Sequence, residues 1–290
     1  MKIKILLPIL LLFTFLLSNS ALDYPYAIEC ISDSICYISD WHSDQIYVLD
    51  SQENVIIDSL KTESKNQFFN VSAIRKKDDK LYILEEDLAQ VTVISLVTKK
   101  IEKLFDLRNY LIEMAVDMEI DSENSIWILD KKKGELFCFD ENGSLLKEIK
   151  SYRSFQGGEV VNFSEPEDIA VNGDMIVVAD TQNKKIVFLN KDGNTLNIIS
   201  YKKGKNNFFL PLSVNFYREN FLITLDGYDN SLNLIDFDGK NIFASFENFD
   251  IQNENFLKIP KKVCLFHDNI LMLNDLYDGK IKKFYLKTKK

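Results

Sequence analysis

A short apolar run ending in an acidic residue, with a second apolar run beginning six positions later, recurs six times along this chain. The instances are Ile35–Asp40 then Ile46, Leu81–Glu85 then Val91, Ile126–Asp130 then Leu136, Ile176–Asp180 then Ile186, Leu222–Asp226 then Leu232, and Ile270–Asp275 then Ile281. The acids at 40, 85, 130, 180, 226 and 275 lie 45, 45, 50, 46 and 49 residues apart. A repeat of this length constrains the fold more than composition does. Each copy is one supersecondary unit that buries its apolar faces only by stacking on its neighbours.

Within each copy the apolar runs are short and rich in Ile, Val, Phe, Tyr and Leu. Turn formers separate them, as at Asn172-Gly-Asp174, Asp140-Glu-Asn-Gly143, Asn190-Lys-Asp-Gly193 and Asp236-Phe-Asp-Gly239. Asn-Gly and Asp-Gly supply the positive-φ positions that tight hairpins require. No helical periodicity is sustained. Each copy therefore reads as a four-stranded antiparallel meander, strands A to D. Repetition of such a unit every ~45 residues is the signature of propeller blades. The expected fold is all-β: a six-bladed β-propeller of four-stranded antiparallel blades.

The best-formed copy runs Ser164-Glu-Pro-Glu-Asp-Ile-Ala-Val171, Met175-Ile-Val-Val-Ala-Asp180, Thr181-Gln-Asn-Lys-Lys-Ile186 and Lys191-Asp-Gly193. The third copy, Val116–Asp121 with Ile126–Asp130, follows the same pattern. A Phe shortly before a Pro recurs at Phe163/Pro166, Phe208/Pro211 and Phe256/Pro260. These residues resemble the NHL repeat over nearly the whole chain after the N-terminal segment. The resemblance implies a six-bladed propeller. It leaves function open, because such propellers include protein-binding and RNA-binding modules as well as calcium-dependent lactonases, and a fold does not fix an activity.

At the N-terminus, Lys2 and Lys4 precede an apolar run from Ile5 to Leu17 and then Ser18-Asn19-Ser20-Ala21. That run is shorter than the roughly 20 residues a membrane helix needs. It reads as a secretory signal peptide over 1–20, with 21–290 forming a single propeller domain outside the cytoplasm. An uncleaved anchor is the alternative reading. No later stretch reaches membrane length. The net charge of −9 becomes −11 without the first twenty residues. So acidic a domain lacks the field that gathers a phosphate backbone, so nucleic acid is not expected as a partner.

In a propeller the D–A and B–C connections share one face. The D–A connections are the long ones here, and long loops on a rigid scaffold carry binding residues. Candidates on that face are Trp41, His42, Lys131, Lys132, Lys133, Glu167, Tyr228, Lys261 and Tyr277. Glu29, Asp117, Glu119 and Asp168 are carboxylates placed to meet inside the channel, where strand-edge amides or water would satisfy them. The repeated acid after strand B reads as a scaffold device, accepting hydrogen bonds from backbone N–H groups to fix the turn.

An enzymatic site is harder to assemble from these residues. Calcium-dependent lactonases of this type hold their metal with oxygen ligands just past the strand-A proline position. Here the matching residues are Tyr26, Val71, Val116, Glu167, Leu212 and Lys261, so no metal site is expected. A zinc site is not expected either, since the two histidines, His42 and His267, fall on opposite faces. The expectation is a non-enzymatic binding or scaffold module for a protein, peptide or glycan, without cofactor. A gluconolactonase-like hydrolase or lyase with an atypical site is the alternative.

Export permits disulfides, and the four cysteines allow three pairings. Cys30 and Cys36 face each other across the first A–B hairpin. Cys138 belongs to blade 3 and Cys264 to blade 6, on opposite sides of a six-fold ring and far beyond the roughly 7 Å that a bridge spans. Either Cys30–Cys36 is bridged, or all four are small core residues. The last repeat lacks a D strand of its own, and the segment Ala21–Tyr24 is expected to pair there.

Overall fold

The computed structural model describes residues 8–11 and 22–288, apart from 54, 66, 155–157, 201–209, 219, 238–241, 247–258, 267–269 and 277–278. After β1 (Pro8–Leu11), blade 1 comprises β2 (Pro25–Cys30), β3 (Ile35–Asp40), β4 (Gln45–Asp50) and β5 (Val55–Ser59). Blade 2 is β6 (Val71–Lys77), β7 (Lys80–Glu85), β8 (Gln90–Ser95) and β9 (Ile101–Asp106). Blade 3 is β10 (Ala115–Ile120), β11 (Ile126–Asp130), β12 (Glu135–Phe139) and β13 (Leu145–Ile149). A small hairpin, β14 (Ser151–Arg153) and β15 (Val160–Asn162), follows in the D–A connection. Blade 4 is β16 (Asp168–Asn172), β17 (Met175–Asp180), β18 (Lys185–Asn190) and β19 (Thr195–Ser200). Blade 5 is β20 (Pro211–Tyr217), β21 (Phe221–Asp226), β22 (Ser231–Asp236) and β23 (Ile242–Phe246). The chain ends in β24 (Pro260–Phe266), β25 (Ile270–Asp275) and β26 (Lys280–Thr288).

The molecule is an all-β propeller of four-stranded antiparallel blades. The expectation of six blades is corrected to five. Five sheets are each built from four consecutive strands, whereas the last has the order β1-β26-β25-β24. Its fourth strand comes from the opposite end of the sequence, with Pro8 opposite Thr288 and Leu11 opposite Tyr285. The strand pairing expected of Ala21–Tyr24 is likewise corrected. Leu22–Tyr24 lies outside the ladder and is held by Asp40, which accepts hydrogen bonds from the amides of Asp23 (2.6 Å) and Tyr24 (2.9 Å).

The core lies between blades. On β11, Ile126 and Ile128 pack against Tyr82, Leu84 and Val93 of blade 2, while Trp127 and Leu129 pack against Ile176 and Val178 of blade 4. Successive side chains of a strand point to opposite faces, and both faces here are covered, so the middle strands show no polar alternation. Each such side chain contributes about 1.5–3 kcal/mol by leaving water. The composite sheet is packed in the same way, through Val263 and Leu273 against blade 5 and through Cys264 and Ile281 against blade 1. Gly143 and Gly193 take φ of 82° and 83° in equivalent C–D turns, a conformation that L side chains rarely adopt.

Pairing of strand A with strand B shifts register near its start in several repeats, between Pro25 and Ile28, Val71 and Ala73, Ala115 and Asp117, Pro211 and Ser213, and Pro260 and Val263. A bulge re-aims the residues that follow it. This recurring irregularity sets which strand-A side chains enter the channel.

Candidate binding face and channel

The acid ending each strand B is a clamp on the chain. Asp130 accepts hydrogen bonds from the amides of Glu113 (2.7 Å) and Met114 (3.3 Å) in the incoming D–A connection, and from Lys132 and Lys133 (both 3.0 Å) in the B–C turn. Phe69 donates to Glu85, Ser164 to Asp180, Leu210 to Asp226 and Ile259 to Asp275 in the same manner. A carboxylate offers about four lone-pair sites. One side chain therefore ties both connections of the D–A/B–C face together.

At the centre of that face, buried Glu167 forms ion pairs with both Lys131 and Lys261. Burial alone would raise the Glu167 pKa, but the two ammonium groups hold it below the usual carboxylate range. Lys261 also lies 5.2 Å from the ring centroid of Tyr26. Trp41 stacks on Tyr26 at 3.8 Å and on the half-exposed Tyr24 at 6.0 Å, and its indole N–H donates to the Val71 carbonyl (2.8 Å). Three aromatic rings thus lead from the rim to a charged cluster at the channel mouth.

Beneath the mouth, polar side chains stitch neighbouring A strands together. Asp117 accepts from the Ile169 amide (3.0 Å), Asp168 from the Val214 amide (2.8 Å), Glu29 from the Lys76 amide (2.8 Å), and Ser213 Oγ from the Val263 amide (3.3 Å). The sheet edges facing the channel are satisfied in this way rather than left as orphan donors. Arg75 spans Glu119 (2.7 Å) and Asp117 (3.0 Å), and Lys262 reaches Asp117 (2.6 Å) and Asp168 (3.3 Å). Burial pushes the Asp117 carboxyl upward, yet the Lys262 and Arg75 charges outweigh it and leave the pKa low. Asp168 is driven well above its ordinary value, first by burial and then by the Asp117 charge.

The sequence candidates separate on this framework. Trp41, Lys131, Glu167 and Lys261 come together at the mouth. Tyr228 stands on the same face, 69% exposed. His42 is exposed beside Asp23 at 3.6 Å. Each lysine of the run has an acidic neighbour: Lys131 pairs with Glu167, Lys132 with Glu113 (2.7 Å), and Lys133 approaches Glu135 (3.9 Å). Tyr277 and His267 lie outside the described residues. In blade 2 Val71 stands opposite Glu85 as Pro25 stands opposite Asp40, so Ser72, rather than Val71, is the residue past the strand-A start. Tyr24, Tyr26, Arg75 and Lys262 were not anticipated as site residues. A charged residue inside an apolar strand A was the available signal for the last two. Cys30 and Cys36 are joined by a disulfide, and Cys138 and Cys264 are buried free thiols.

No family model matches the sequence, and no curated protein matches it. Solved structures do. A catalytically inactive virginiamycin B lyase from Staphylococcus aureus with quinupristin aligns with a TM-score of 0.64 at 15% identity, over 94% of this chain and 99% of that one. A streptogramin B lyase gives 0.65 at 15%, over 95% and 98%. A structural genomics protein of unknown function from Bacteroides thetaiotaomicron gives 0.65 at 11%, over 95% and 72%. At these identities the likeness establishes the fold: this chain is a β-propeller.

Proposed function

We propose that the protein is a non-enzymatic binding module of NHL-repeat type, working outside the cytoplasm and taking a protein, peptide or glycan across its D–A/B–C face. In this reading residues 1–20 direct export. The observation that carries it is the stacked series Tyr24, Trp41 and Tyr26 ending at the Lys131–Glu167–Lys261 cluster. Flat aromatic surface beside paired charges suits recognition, since aromatic anchors supply contact area at low entropic cost. The carboxylates that a hydrolytic reading would recruit are already engaged, Glu167 by two lysines and Asp117 and Asp168 by strand amides, Arg75 and Lys262. The lyase chemistry named for the structural neighbours stays with those proteins.

The test is affinity capture from the organism's own envelope and culture medium with purified protein as bait. Wild type should retain a partner that Tyr24→Ala and Tyr228→Ala lose, with unchanged melting temperatures. Equal capture by all three proteins would remove this face from consideration.

A further inference from the structure

At the opposite end of the channel, on the side of the A–B turns, lies a cavity of about 180 Å³ whose wall includes Glu29, Arg75, Glu119, Asn215, Lys262 and Asp168. That volume corresponds to roughly six water molecules. It is separate from the aromatic face, because Glu29 sits at the end of β2 whereas Tyr26 sits near its start.

Four carboxyl groups, Glu29, Asp117, Glu119 and Asp168, meet two buried cations here, Arg75 and Lys262, and Lys76 also lines the cavity. Asp117 and Asp168 have their demands met by Lys262, Arg75, Ser213 and two strand amides. Glu119 holds Arg75 through one oxygen and Glu29 holds the Lys76 amide through one oxygen. The second oxygen of each has no hydrogen-bond partner among the described residues. Asn215 spends its amide N–H groups on Val263 O (2.9 Å) and Ser213 Oγ (3.5 Å). Its carbonyl oxygen, with no hydrogen-bond partner among the described residues, is a third acceptor on the wall. A cavity that presents three such acceptors, two of them carboxylate oxygens, favours a cation that donates N–H bonds.

We infer that this channel end binds a small organic cation bearing several N–H donors, a guanidinium or primary ammonium group, with Glu29 and Glu119 taking its charge. Arg75 lies between the two glutamates and fixes Glu119, so it is a positioning residue. The cation is either a free solute or the tip of a side chain from a bound peptide, since both present the same chemistry.

Calorimetric titration of the full chain at pH 8 tests it, using methylguanidine, methylammonium and the tripeptide Gly-Arg-Gly, with tetramethylammonium as a cation lacking N–H donors. Methylguanidine or methylammonium is expected to bind and tetramethylammonium is not. Glu29→Gln and Glu119→Gln should each weaken binding about tenfold or more, the worth of one charge-assisted hydrogen bond. Tighter binding of the tripeptide than of methylguanidine assigns the cation to a side chain, and the reverse assigns it to a solute. No heat from any N–H donor beyond that of tetramethylammonium overturns the proposal, as does unchanged affinity in both variants. Should the variants unfold, wild type alone decides. Methylguanidine must then slow labelling of Cys264, which lines the cavity, by a small thiol reagent, without slowing that of Cys138, and equal rates would overturn the site.

Discussion

Lys262 on β24 donates to Asp117 on β10 at 2.6 Å, joining residues 145 positions apart across the channel. Both side chains are almost wholly buried, at 6% and 0% exposure. Burial disfavours the lysine charge, but the Asp117 and Asp168 carboxylates more than compensate and raise its pKa. A buried pair adds little net stability over an apolar pair, yet removing one partner strands the other in a low-dielectric site. Lys262→Met should therefore lower stability by about 3–5 kcal/mol. Lys262→Met with Asp117→Asn should recover part of that loss. Urea unfolding midpoints at constant m-value measure both, and a silent single variant would show that the pair bears no such role.

Glu29 gives a pH signature. Burial, only partly opposed by Arg75 and the Lys76 amide, pushes its pKa from 4.5 up to about 7. The folded state therefore holds this proton in a window where the unfolded chain has released it. Stability then falls as pH rises from about 4.5 to about 7. Asp168, also raised by burial and by the Asp117 charge, acts in the same direction. The melting temperature should be higher at pH 5 than at pH 8. Glu29→Gln, which cannot lose a proton, should flatten part of that slope. A slope identical to wild type would contradict the assignment.

How much of this was legible in sequence depended on whether a residue obeyed the repeat. Asp40, Glu85, Asp130, Asp180, Asp226 and Asp275 could be read because every repeat needs an acceptor where two connections meet. Asp117 and Asp168 could be placed in the channel because a lone acid within an apolar strand has few other destinations. Whether Lys261 or Lys262 enters the deep network could not be read, because the register shift between Pro260 and Val263 breaks the period of two. The β14–β15 hairpin was hidden inside a connection with few apolar residues. Pro8–Leu11 was hidden for another reason: an apolar leader and an apolar edge strand have the same composition.

The cysteines give a covalent check. Only Cys30 and Cys36 should be linked in non-reducing peptide maps, with Cys138 and Cys264 recovered as thiols. Burial pushes those two thiols up to about 11 and about 12, so alkylation in the native state should be slow and should accelerate on unfolding. The bridged loop is short, and its loss should cost at most about 2–3 kcal/mol. A Cys138–Cys264 link within a monomer would contradict the positions of β12 and β24.

The position of β1 sets two processes against each other. Residues 8–11 pair with β26, yet they lie inside the stretch expected to be an export leader. If a peptidase removes that stretch, the outer half of β26 loses its ladder partner. An unpaired strand edge recruits other strands. Protein beginning at Ala21 should therefore melt at a lower temperature than the full chain and should self-associate with rising concentration. A peptide spanning residues 6–13, added to the shortened protein, should restore the melting temperature and suppress association. Thermal melts and sedimentation velocity on the two forms check this. Equal melting temperatures with a monomeric shortened form would show that β26 needs no partner, and that β1 is dispensable to the ring.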